Sequence, residues 1–73
     1  MPALEKSLSV KVNGSPMDLP EGTTVSGLLR RLEIVPLMVA VELNLDILPK
    51  VSYETRALKE GDSLEIVHFV GGG

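Results

Sequence analysis

The chain has 73 residues, 44% of them hydrophobic and 23% charged, with no cysteine. That supplies one compact core, excludes a disulfide scaffold or a thiolate metal site, and leaves little material for a deep catalytic cleft beside the core. The formal net charge is −3, from 7 basic and 10 acidic residues, and only Arg30 and Arg31 adjoin among the basic ones. Phosphate backbones need clustered cations, so nucleic acid is a poor partner.

The amino terminus, Met1-Pro2-Ala3-Leu4-Glu5-Lys6, has no apolar signal-like stretch, and the longest apolar run, Pro36 to Val41, is far too short to span a bilayer. The expected location is the cytoplasm, with no membrane partner. Leu8, Val10 and Val12 alternate with polar residues, which predicts a half-buried strand. Asn13-Gly14 follows, a pair that tolerates positive φ and favours a tight hairpin, although Pro16 points to a slightly longer turn. The returning strand is expected to be short and centred on Met17 to Leu19.

Pro20-Glu21-Gly22 breaks that strand, and Thr23-Thr24 offers a hydroxyl N-cap to a helix starting near Val25. Val25, Leu28, Leu29 and Leu32 form one apolar stripe, with Ser26, Arg30, Arg31 and Glu33 on the wet side, over about three turns. Pro36 is expected to stop any continuation. From Met38, the run Val39, Val41, Leu43 alternates with Ala40, Glu42 and Asn44 as another strand. A turn at Asn44-Leu45-Asp46 leads to a short partner strand, Leu45 to Leu48, ended by Pro49. Val51 to Ala57 shows no clean period and reads as a loop with one helical turn, pinned by Tyr53. After the turn signal Glu60-Gly61-Asp62, Leu64, Ile66 and His68 alternate with Glu65, Val67 and Phe69 in a last strand that runs into Gly71-Gly72-Gly73.

One helix with one apolar stripe covers one face of a mixed sheet of four to five strands, with the first and last strands pairing at its centre. This is an α+β roll of the β-grasp type, a single domain over residues 1–73 with a flexible tail at 71–73. The other sheet face is left open. Strand parity places Val67 and Phe69 on it, with Met38 and Ala40 on the neighbouring strand, a candidate partner-docking surface beside Glu42. Glu42, Asp46, Glu60, Asp62 and Glu65 match no metal-site spacing, so no metal is expected; they form a wet surface or docking points for a basic partner. His68 has no carboxylate partner or nucleophile nearby in sequence, and no catalytic residue is assigned.

Three residues without side chains span about 10 Å when extended and can enter a channel too narrow for a Cβ. The terminal carboxylate is their reactive group. At neutral pH it is an anion and a poor electrophile until adenylation gives it a leaving group.

The end Leu64-Glu65-Ile66-Val67-His68-Phe69-Val70-Gly71-Gly72-Gly73 resembles the C-terminus of the sulfur carrier proteins of thiamine biosynthesis, small ubiquitin-like proteins. Gly22-Thr23-Thr24-Val25-Ser26, Val39-Ala40-Val41-Glu42-Leu43-Asn44 and Leu58-Lys59-Glu60-Gly61-Asp62 are similar to that family as well, so the likeness covers most of the chain. Leu45 departs from the pattern, since the family often has Gly after the Asn.

The resemblance implies a co-substrate and not an enzyme. An E1-like adenylyltransferase, using ATP and magnesium, would adenylate Gly73, with Gly72 and Gly71 threading into the partner's active site. A sulfur donor such as a cysteine desulfurase would then supply the atom for a thiocarboxylate, and thiazole synthase would take it for the thiazole moiety. No cofactor would be bound by the chain itself. The same tail chemistry also suits the small subunit of molybdopterin synthase or a ubiquitin-like protein modifier, while an interaction module with an inert tail is the remaining alternative.

Overall fold

The computed structural model describes residues 6–69. Five strands form one sheet: β1 (Ser7–Val12), β2 (Ser15–Pro20), β3 (Val39–Leu43), β4 (Asp46–Leu48) and β5 (Ser63–His68), in the order β2-β1-β5-β3-β4. β1 and β5 pair in parallel at the centre and every other pair is antiparallel. The one α-helix among the described residues, α1 (Val25–Arg31), supplies Val25, Leu28 and Leu29 to a core built with Leu8, Val10, Leu19, Val39, Val41, Leu64 and Ile66. The mixed sheet and one-helix roll are those expected from the alternation and the apolar stripe.

A helix of seven residues is too short to persist alone in water. Val25, Leu28 and Leu29 are completely buried, and each contributes about 1.5–3 kcal/mol, so packing and not propensity holds α1 in place. Its first turn is capped by Thr24, whose Oγ1 accepts the Gly27 amide at 3.0 Å. The Val25 and Ser26 amides donate to the carbonyls of Arg56 (3.0 Å) and Tyr53 (2.8 Å). The aperiodic segment after Pro49 therefore serves the helix start. It begins with a 3-10 turn (Lys50–Ser52) and is anchored by the buried Tyr53.

The helix is two turns long, not three. It stops before Pro36 because Glu33 adopts φ 60°; the Glu33 and Ile34 amides then bond to the Arg30 and Leu29 carbonyls, closing a Schellman motif. Pro36 instead opens a second 3-10 turn, Pro36–Met38, so Met38 precedes β3 and is not part of it. Ser26, expected on the wet side, is buried beneath Glu54, to whose Oε2 its Oγ donates at 3.3 Å.

Both hairpins turn on two residues at positive φ, Asn13-Gly14 (50°, 86°) and Asn44-Leu45 (53°, 74°). The first turn is tighter and β2 longer than expected, because Pro16 lies on an edge strand whose missing N–H leaves no ladder bond unmade. In the second, Leu45 holds a conformation unfavourable for an L residue with a Cβ, while its side chain is 90% exposed. Leu45→Gly should therefore stabilise the protein by about 0.5–1 kcal/mol, after allowing for glycine's greater unfolded-state entropy. A thermal melt raised by roughly 2–6 °C would show it, and a lowered one would mean that the Leu45 side chain is held by the fold.

Candidate functional site

Gly71, Gly72 and Gly73 lie outside the described residues, which end at Phe69. β5 reaches that point through a complete ladder with β3, in which Val39 faces His68, Ala40 faces Val67, Val41 faces Ile66, Glu42 faces Glu65 and Leu43 faces Leu64. One more bond, from the Phe69 amide to the Met38 carbonyl at 2.9 Å, extends the pairing beyond the strand.

The central strand is held from both sides by asparagines. β1 turns away at Asn13, whose backbone amide reaches the Leu64 carbonyl (2.8 Å) and whose Oδ1 accepts the Ile66 amide (2.7 Å). On the other flank Asn44 exchanges backbone and side-chain bonds with Ser63, and its Nδ2 donates to Asp62 Oδ1 at 3.0 Å. Asp62 Oδ2 accepts the Lys59 amide at 2.8 Å. Asp62 is thus buried and engaged by its own chain, a correction to its place among the wet or docking acids. Glu60 is likewise occupied, accepting the Ser9 amide at 2.8 Å.

The face of the sheet away from α1 brings Ala40 and Val67 together as cross-strand neighbours, with Phe69 and Met38 at the end where β5 leaves the sheet. Val67, Phe69 and Met38 are each about half exposed, at 53%, 51% and 50%; Ala40 and Glu42 are half-buried. Ile47, paired with Glu42 and 74% exposed, extends the apolar strip toward β4. Parity from the core-facing Leu48 is the sequence signal that would have placed it there. Glu42 and Glu65 stand directly opposite each other, an arrangement unfavourable by a few tenths of a kcal/mol up to about 1 kcal/mol unless a cation is brought to it. His68 lies exposed at the end of β5, and Arg30 and Arg31 are exposed on the helix.

No motif in the sequence marks Lys50. Its ammonium donates to the Val39 carbonyl at 2.8 Å and lies 5.2 Å from the centre of the Phe69 ring and 5.9 Å from that of Tyr53. Two shallow clefts are present, about 220 Å³ lined by Ser26, Arg30, Ile34, Pro36 and Glu54, and about 320 Å³ between β1 and Glu60–Ser63; neither is lined by Phe69 or Lys50. Among the described residues no group of three or more His, Asp or Glu is placed to hold a metal ion, and no helix is long and apolar enough to cross a membrane.

A mixed sheet with a parallel central pair and one helix on one face defines a small β-grasp domain. Residues 10–73 match the model of the ThiS family, and the chain belongs to that family. It is 37% identical over 65 residues to the sulfur carrier protein ThiS of Bacillus subtilis, covering 88% of this chain and 98% of that one. It superimposes with a TM-score of 0.78 on the crystal structure of the thiamine biosynthesis protein ThiS from Geobacter metallireducens, at 33% identity over 90% of this chain and all of the other. A thiazole synthase of Magnetococcus marinus contains a stretch 41% identical over 66 residues, which is 90% of this chain and only a fifth of that protein.

Proposed function

We infer that the protein carries sulfur on its terminal glycine for assembly of the thiazole moiety of thiamine. The observation that carries this reading is the family match running through to Gly73, joined to a fold that delivers β5 toward that residue. The Gly73 carboxylate attacks the α-phosphate of ATP in the active site of an E1-like adenylyltransferase, with magnesium there, and pyrophosphate leaves. A persulfide sulfur, originating in a donor such as a cysteine desulfurase, then attacks the acyl carbon; the C–S bond forms as the C–O bond to AMP breaks, and a thiol cleaves the S–S bond of the resulting acyl disulfide, leaving a thiocarboxylate and a disulfide between the thiol and the donor. Gly71 and Gly72 give the thread no side chain wider than a hydrogen.

Thiazole synthase is the sulfur acceptor in this scheme. Support comes from the thiazole synthase that holds a similar stretch within one chain, since joining a carrier to its acceptor raises their effective concentration. Val67, Phe69, Met38 and Ala40 form the apolar part of the docking surface, and Glu42 with Glu65 forms its acidic margin. A basic group on the partner would relieve the repulsion between those two carboxylates, which favours a partner of that charge.

Incubation with the adenylyltransferase, ATP, magnesium and a sulfur source should raise the intact mass by about 16 Da, the change from oxygen to sulfur at the activated carboxyl. An unchanged mass, under conditions in which the same enzyme loads an established carrier, would overturn the reading. Adducts on lysines would instead indicate a protein modifier.

A further inference from the structure

We propose that Lys50 is a positioning residue for sulfur loading, fixing the base from which the chain runs on to the terminal glycines. The proposal rests on the carrier reading above and deepens it. Three segments far apart in sequence meet at the Lys50 ammonium: the start of β3 through the Val39 carbonyl, the buried Tyr53 ring, and the Phe69 ring just beyond β5. The lysine itself is held firmly at its backbone, because the 3-10 turn it opens is closed by the Tyr53 amide bonding to the Lys50 carbonyl at 3.0 Å, and the Tyr53 carbonyl is bonded to α1.

Phe69 needs such a hold. Its ring is half exposed, and its amide bond to Met38 restrains the backbone without restraining the ring. A cation within about 6 Å of the ring centre adds an attraction that the aliphatic core does not supply there. Only four residues, Val70 to Gly73, separate Phe69 from the reactive carboxyl. Every residue ordered before docking is one fewer to be ordered within the partner, so the contact acts on productive engagement and not on the acyl chemistry.

The experiment uses the full chain as wild type, Lys50→Met and Lys50→Arg, with two readouts: steady-state kinetics of loading by intact mass, and relaxation measured as ¹³C at the Phe69 ring beside ¹⁵N at the backbone amides. Lys50→Met keeps the aliphatic stem and removes the charge. It is expected to raise KM for the carrier about two- to fivefold with kcat nearly unchanged, and to increase fast motion at Phe69 while the amides of β1 keep their wild-type values. Lys50→Arg, which retains a cation over the ring, should restore both.

Wild-type KM in Lys50→Met, a loss that arginine does not repair, or unaltered Phe69 relaxation would each overturn the proposal. If the wild-type chain itself gained no sulfur, the carrier reading would fail on that result, and the relaxation comparison would still decide whether Lys50 orders Phe69.

Discussion

A chain ending at Gly72 is expected to melt at the temperature of the full protein and to acquire no sulfur. The core is assembled from Leu8 to Ile66, and a terminal glycine has no side chain to add to it, so its removal costs the fold nothing. The reacting carboxyl, however, retreats by one residue, about 3.3–3.6 Å. Misplacement by even 1 Å can cost about a hundredfold in rate, and a register error three times larger should abolish loading within the sensitivity of intact-mass measurement. Gly73→Ala makes the complementary test, because it restores chain length and adds only a Cβ. Slow loading of the alanine variant together with none of the truncated one would separate the width of the partner's channel from its depth. A truncated chain that loads at the wild-type rate would show that the activating enzyme does not measure the tail against the docked body.

The fold was legible wherever burial repeats with a simple period. Leu8, Val10 and Val12, the run Val39, Val41, Leu43, and the pair Leu64 and Ile66 alternate as the sheet requires, and Val25, Leu28 and Leu29 share one helical face. Parity also brought Val67 and Ala40 to the same open face, and the terminal residues pointed to the family.

What escaped was set by contacts between distant segments. Nothing in the helix pattern marks Glu33 as the residue that turns left-handed, since glycine ordinarily signals that position. Ser26 is polar and falls on the wet side of the helical pattern, yet its burial follows from the segment around Tyr53 and Glu54 folding over the start of α1. Asp62 reads as a turn residue on an acidic surface, and only the approach of Asn44, eighteen positions away, turns its carboxylate inward. Lys50 draws its significance from Val39 and Phe69, neither of which is near it in the chain.

Asn13→Ala is expected to have the largest effect on stability among polar substitutions, about 2–3 kcal/mol. Two causes combine. Asn13 sits at φ 50°, where alanine is disfavoured by about 1 kcal/mol or more, and its side chain continues the β1–β5 ladder after the backbone of β1 has turned away. Its Oδ1 takes the Ile66 amide at 2.7 Å and its Nδ2 faces the Ile66 carbonyl at 3.4 Å, so truncation leaves polar groups of a buried residue without their partner. A domain of this size has roughly 4–11 kcal/mol in total, and the melt should fall by about 10–20 °C. Asn13→Gly separates the two causes: glycine accepts the φ but restores neither bond, so it should recover about 1 kcal/mol of the loss and no more. Hydrogen exchange gives the local signature, with the Ile66 amide exchanging faster in both variants. Wild-type stability in Asn13→Gly, with the Ile66 amide still protected, would mean that β5 is held by its ladder with β3 alone and that the side chain of Asn13 contributes only its tolerance of the turn.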